Sequence, residues 1–298
     1  MTTIQVIRMG HVTFEIVDLE RLVSYYVDAL GLSIIHRDAG MAYLACPADA
    51  YSIVLQSGPV ARCSKLSLQL APDADFDEAG RYLKSEGLLP ERRSDSAPLI
   101  AHSISFKDPA GLHVELYQAL PGCGLWAEPT TGVKPDRLGH TAFFVPGVQG
   151  VVDFHVRALG FRVSDWNGDF FAFLRCNPDH HTVNLHEGTE TRGHHIAFEV
   201  RDWNRLRDSS DCLARHGVQI LWGPLRLGAG HNLATYHRDP DGNLIELFTE
   251  LDRMSNEALG YFDPRPWHED NPQRPKVRLN NEGDTRRWGL LRPASQRY

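Results

Sequence analysis

The sequence predicts an α+β fold in which one domain is used twice, and three observations carry that prediction. First, "MGHVTFEIVDLERLVSYYVDALGLSI" (Met9–Ile34) is echoed by "LGHTAFFVPGVQGVVDFHVRALGFRV" (Leu138–Val163). Second, "FKDPAGLHVELYQ" (Phe106–Gln118) is echoed by "HRDPDGNLIELFT" (His237–Thr249), so matched positions are offset by 129 to 131 residues throughout. Third, each copy runs strand, helix, then several strands, twice over. A repeat of this length is a duplicated domain rather than a solenoid unit.

The elements of the first copy follow from periodicity. His11–Val17 alternates as a strand does, and Leu22, Tyr25, Tyr26 and Leu30 mark one face of a helix. "MAYLAC" and "YSIVLQ" read as strands around a Pro/Ala/Asp turn. "SKLSLQL" (Ser64–Leu70) opens the second half of the copy, and Phe76–Glu86 reads as its helix. "HSISFKD" then turns through Asp108–Gly111 into "LHVELYQ". In that D-P-x-G turn, Pro presets one φ and Gly admits a positive one. The second copy repeats the plan. Between the copies, "PGCGLWAEPTTGVKP" (Pro121–Pro135) is rich in Gly and Pro and has no periodicity, as a linker should. The expected organisation is a first domain over 1–124, a second over 136–250, and a polar, Pro-dotted tail over 251–298 that is not another copy.

Composition narrows the function. The 298 residues are 42% hydrophobic and 23% charged, ordinary for a globular chain. The net charge of −7, with no basic stripe, argues against a nucleic-acid partner. No run of about 18 apolar residues suggests a membrane span. The opening MTTIQVIRMGHV lacks the charged start and long apolar run of a signal peptide. The five cysteines are scattered, odd in number and without a CxxC pair; they read as reduced thiols of a cytoplasmic protein.

The site reading starts from "RGHHIAFEV" (Arg192–Val200), where two histidines adjoin at the start of a strand. Neighbouring strand residues point to opposite faces. His195 shares its face with Ala197 and Glu199, as a cavity lining would, whereas His194 shares its face with apolar Ile196, Phe198 and Val200. His195 therefore joins His140 and Glu246 as candidate metal ligands, with His194 a structural neighbour or a hydrogen-bonding residue beside the site. In the first copy the matching positions are His11, Lys65 and Glu115. An ammonium cannot ligate a metal, so that copy is expected to be metal-free. Two histidines and one carboxylate leave three coordination positions open, the facial triad of non-haem Fe(II) oxygenases. Mn(II) fits the same set; zinc ranks lower, since it favours a closed tetrahedral site or a water nucleophile.

With these residues in place, the chain resembles the two-domain type I extradiol ring-cleaving catechol dioxygenases of the vicinal oxygen chelate (glyoxalase/bleomycin resistance/dioxygenase) superfamily. The resemblance covers about residues 5 to 250, and "YHRDPDGNLIE" (Tyr236–Glu246) fits the family's Y-x-x-D-P-x-G-x-x-x-E ending. It implies four βαβββ modules in two domains, each domain a curved mixed sheet around a central cavity, with metal bound only in the second. It implies His140, His195 and Glu246 as ligands, and His181 as the acid–base histidine, with His180 its rival. Tyr236 matches the tyrosine that hydrogen-bonds a substrate oxygen. The resemblance also implies a small aromatic diol and O₂ as partners, a homo-oligomer, and a yellow semialdehyde product.

The sequence departs from the family pattern in several places. Where the family has a histidine before the tyrosine that helps to orient substrate, "GPLRLGAGHN" (Gly223–Asn232) places Leu227, a departure that counts against activity; His231, four residues later, would substitute only with a shifted loop. Where relatives that take carboxylated catechols carry Arg, Trp222 stands here, and Ala142 stands where some carry Asn. Trp222 and Ala142 point to an apolar or bulky catechol rather than an acidic monocyclic one. In the tail, "DTRRWG" reads as solvated surface or as part of a lid, in which case Arg286 or Arg287 would reach the substrate. His186, His155, His237 and His11 are expected not to be ligands. The alternative function is a non-redox superfamily member: a metal-dependent isomerase or lyase, or a binder of small aromatics.

Overall fold

The computed structural model describes residues 4–119, 129–263, 274–278 and 286–289. The first half contains β1 (Val6–Ile16), α1 (Leu19–Ser24), a π-helical turn (Tyr25–Ala29), β2 (Ser33–Arg37), β3 (Met41–Ala45) and β4 (Ile53–Ser57). These are followed by β5 (Arg62–Leu70), α2 (Phe76–Ser85), β6 (Glu91–Ala97), β7 (Ile100–Lys107) and β8 (His113–Ala119). The second half begins with β9 (Arg137–Val145), α3 (Val148–Leu159), β10 (Arg162–Asn167), β11 (Phe171–Arg175) and β12 (Val183–Glu187). It continues with β13 (Arg192–Glu199), α4 (Trp203–Arg215), β14 (Trp222–Leu227), β15 (Leu233–Arg238) and β16 (Leu244–Thr249). The tail adds β17 (Met254–Asn256), β18 (Tyr261–Phe262), β19 (Lys276–Arg278) and β20 (Arg286–Gly289). This is an α+β fold of four βαβββ modules, as expected.

Each half forms one mixed sheet. The first has the order β2-β3-β4-β1-β5-β8-β7-β6. The second has β19-β10-β11-β12-β9-β13-β16-β15-β14-β20, the same plan with one tail strand added at either edge. The two modules of each half meet where β1 pairs antiparallel with β5, and β9 with β13. Aspartate side chains cap the helix in the second module of each half. Asp75 accepts from the backbone N–H groups of Asp77 and Glu78 to start α2, and Asp202 from that of Arg205 to start α4.

The sequence reading missed β2 and β6. They are the two edges of the first sheet, and "SIIHR" and "ERRSDSA" are too polar to show alternation. Charge on an edge strand discourages pairing with another chain, so the same composition that protects these strands hides them. In the second half, β19 and β20 cover the corresponding edges.

The repeated motifs do more than turn the chain. The Asp108 side chain accepts from the backbone of Ala110 and Leu112 in its own turn, and its Oδ2 lies 3.2 Å from His155 Nε2 on α3. In mirror fashion, Asp239 accepts from the Asp241 and Asn243 backbone, and the Tyr26 hydroxyl of the first half donates to it at 3.1 Å. Tyr25 Oη lies 2.6 Å from His237 Nε2 beside it. Each half thus seats its D-P-x-G turn against the first helical segment of the other, and one continuous apolar core spans both. His155 and His237 serve this interface. The Gly-His and E-L-[YF] motifs are also coupled. A Cβ on Gly139 would lie 2.4 Å from the Phe248 ring, and one on Gly10 would lie 2.4 Å from Tyr117. The glycine makes room for the aromatic two residues past the glutamate.

Candidate metal centre and active-site cavity

The three candidate ligands come from three adjacent strands, β9, β13 and β16. Ala197 on the middle strand pairs with His140 on one side and Glu246 on the other. Its methyl side chain leaves the space between them open, and His195, two residues earlier on the same face, reaches in. His140 Nε2 and His195 Nε2 each lie 3.3 Å from Glu246 Oε2. The three donor atoms fall within 4.8 Å of one another, and all three residues are buried. An ion about 2.1 Å from each donor would hold adjacent ligands about 3 Å apart, so the donor set fits one divalent metal. Asn232 Nδ2 donates to Glu246 Oε1 at 2.9 Å and fixes the carboxylate's plane. Burial pushes the Glu246 carboxyl up, but the two imidazoles and hydrogen bonds from His140 and Tyr236 outweigh it, so its pKa lies below the ordinary carboxylate value. The carboxylate is ionised at neutral pH.

These residues open onto a cavity of about 350 Å³ walled by Phe170, Phe171, Phe173, Trp222, Leu227 and Tyr236. The His181 ring packs 4.3 Å from that of His140 and lines the cavity. Burial, then the neighbouring histidines 140, 180 and 195, hold its pKa well below 6.5, so the ring is neutral at pH 7. His180 points the other way: its Nδ1 lies 3.0 Å from His181 Nδ1, and its Nε2 lies 3.3 Å from Asp165. Tyr236 is buried in the wall opposite Glu246 in register, with Trp222 stacked on it at 4.7 Å and 24°.

Two expectations change. Strand alternation put His194 on the helix side of β13, yet it lines the cavity beside His195, with the two Nδ1 atoms 2.5 Å apart. The register of β13 against β9 shifts between Gly193 and His195. Such a β-bulge turns a side chain that alternation would send to the other face. His231 does not stand in for the missing histidine at 227. Leu227 and Ala229 line the cavity, while His231 Nδ1 lies 2.6 Å from Asp252. The backbone of Arg286 pairs with Leu227 through β20, and the side chains of Arg286 and Arg287 lie outside the described residues.

Sequence reasoning missed Asn232, Asn167, Asn184, Asp165 and Arg278. None has a counterpart in the first copy's motifs. Arg278 lies in the tail, where nothing marked one arginine from another, yet it is buried against the cavity with its Nε donating to Asp165 at 2.8 Å.

Residues 137–247 match the model of the Glyoxalase/Bleomycin resistance protein/Dioxygenase superfamily. Among curated relatives it is 35% identical to metapyrocatechase 2 of Cupriavidus necator over 122 residues, 40% of this chain and 38% of that one. It is 26% identical to the metapyrocatechase of Pseudomonas sp. (strain CF600), over 82% of this chain and 86% of that one. Of solved structures, the Mn(II)-bound glyoxalase of Novosphingobium aromaticivorans superposes with TM-score 0.86 at 23% identity, over 99% of this chain and 95% of that one. The homoprotocatechuate 2,3-dioxygenase of Arthrobacter globiformis superposes with TM-score 0.82 at 25% identity, over 97% and 90% of the two chains.

Proposed function

We propose that this protein is an extradiol dioxygenase that opens a catechol-type aromatic diol with O₂, using one Fe(II) held by His140, His195 and Glu246. The observation that carries the reading is the convergence of those donors on an aromatic-walled cavity that also contains His181 and Tyr236. Relatives named metapyrocatechase and homoprotocatechuate 2,3-dioxygenase support it. A divalent metal held by His140, His195 and Glu246 would supply positive charge for an ionised diol and redox capacity toward O₂; Mn(II) suits the same donors.

The chain's own residues do the rest. Neutral His181 can take a proton from a substrate hydroxyl and return it as the O–O bond breaks. The Tyr236 hydroxyl donates to the oxygen that becomes the enol of the product. Asn232 keeps Glu246 in one orientation, and the aromatic wall keeps water from the opened ring. Both atoms of O₂ enter the product, so no outside reductant is needed. The same reading divides the chain into domains at 1–124 and 136–250 with a tail at 251–298, and assembles it as a homo-oligomer. It places the protein in the cytoplasm, in keeping with free Cys46, Cys63, Cys176 and Cys212 among the described residues. No helix among them is long and apolar enough to cross a membrane.

A non-redox reaction is the second reading, favoured by the superposition on a glyoxalase, a likeness of fold alone. A panel of mono- and bicyclic catechols separates the two. Iron-loaded protein should consume O₂ and turn at least one solution yellow; no uptake with any member would overturn the dioxygenase reading.

A further inference from the structure

Apart from the triad, several residues that line the cavity, Asn184 among them, carry a buried polar atom with no partner among the described residues. Arg278 Nη2 is one, although Nε of the same guanidinium donates to Asp165. Asn167 Oδ1 is another, and Asn167 is the register partner of Arg278 across β10 and β19. Both residues are more than nine-tenths buried, and both line the cavity. Leaving such groups unsatisfied is destabilising, and an unpaired buried polar atom in a native fold needs a reason.

The chemistry of the pair selects the ligand group. Asp165 already carries the counter-charge of Arg278, so no anion is required. A carboxylate could accept from Nη2 but has no proton for Asn167 Oδ1. A hydroxyl does both, accepting from the guanidinium and donating to the amide oxygen. Between this pair and the triad run β11 and β12, whose cavity face carries Phe171 and Phe173, flat walls suited to an aryl ring. Trp222 and Leu227 keep the opposite side apolar.

We infer that Arg278 and Asn167 form a specificity subsite for a hydroxyl group on the aryl substituent of the diol, so that the favoured substrates are hydroxyaryl catechols. The inference rests on the dioxygenase reading for the placement of the diol, but its test does not need turnover. Metal-loaded protein is titrated calorimetrically, without O₂, with 3-(2-hydroxyphenyl)catechol and with 3-phenylcatechol. The hydroxylated ligand should bind at least about 10-fold more tightly, the equivalent of one satisfied buried pair. Arg278→Lys keeps a cation for Asp165 but loses the second donor; Asn167→Leu removes the acceptor. Each should bring the ratio of the two Kd values to within about threefold, mainly by weakening the hydroxylated ligand. A wild-type ratio near one, or a ratio that survives both substitutions, overturns the subsite. If Arg278→Lys does not fold, Asn167→Leu decides alone. If the binding ratio holds while no catechol consumes O₂, the subsite stands and the dioxygenase reading falls.

Discussion

The two halves of the chain bury the same glutamate and neutralise it in different ways. In the second half, Glu246 faces His140 and His195 across the small side chain of Ala197, and on the proposed reading its counter-charge is a bound metal. In the first half, Lys65 stands at the position of His195 and Ser67 at that of Ala197. Lys65 Nζ donates to Glu115 Oε1 at 2.8 Å, and Ser67 Oγ to Oε2 at 2.9 Å. His11 Nε2 stays 3.6 Å away. Two substitutions therefore convert a metal centre into an internal ion pair while the glycine, histidine, glutamate and aromatic of the scaffold remain. On the proposed reading, both halves set a cation against the same buried carboxylate, and the source of that cation separates the catalytic half from the structural one.

The comparison breaks most completely at His195. In His195→Ala, the second half loses a donor without gaining a lysine, so the iron content should fall from about one per chain to near zero, with activity lost. Iron analysis of protein purified anaerobically checks this, and full retention of metal would remove His195 from the ligand set. The next effect is kinetic. His181→Phe should keep the metal, because His181 is not one of the converging donors, yet lose about 10²–10⁴-fold in kcat, the usual range for one acid–base group. Loss of metal in this variant would make His181 part of the binding set instead.

Much of this comparison was legible in the sequence because duplication provides an internal control. The repeat showed that His140 and Glu246 have counterparts and that Lys65 breaks the set; no structure was needed. The modules themselves were readable wherever one face is buried, as for the helix over Phe76–Ser85. Three things were not. Edge strands β2 and β6 carry no alternation, since little of them is buried. The bulge at Gly193 is a change of register, which depends on the partner strand and leaves no mark in a single sequence; it moved His194 into the cavity. Asn167 and Arg278 meet only because β19 pairs with β10, a contact across 111 residues that no motif encodes.

Both halves should lose stability in acid through histidines that burial keeps neutral. Burial pushes the His11 ring down to about 4, with Glu115 raising it and Lys65 lowering it by smaller amounts. Unfolded, the same ring titrates near 6.5. Between these values the unfolded chain binds the extra proton, so stability is full above about pH 6.5 and falls as the pH drops toward 4, by at most about 3 kcal/mol. His237, pushed down to about 3 by burial, acts in the same direction. The contribution of His11 is therefore read as a difference. His11→Phe should lose less stability than the parent between pH 7 and 4.5 in urea unfolding. Parallel curves would show that His11 is not held neutral by the fold.

The smallest effect tests the ion pair itself. Lys65→Met leaves Glu115 buried with only Ser67 and a neutral His11 beside it. Breaking a buried pair from one side can remove 3–5 kcal/mol, but a quarter of the Lys65 side chain is exposed, so solvent screening reduces this to about 1–2 kcal/mol, a drop of a few degrees in Tm. Lys65→His is the sharper companion. It restores a histidine at the register position that His195 holds in the second half, opposite Thr13 as His195 is opposite Ala142, and two residues before Ser67, which pairs with both His11 and Glu115. If the cation source alone separates the halves, this variant should take up metal beyond one ion per chain and recover the stability that Lys65→Met loses, but only when metal is present. A stoichiometry unchanged at one, with the stability still lost, would place the barrier in Ser67, whose hydroxyl occupies the carboxylate oxygen that a metal would need.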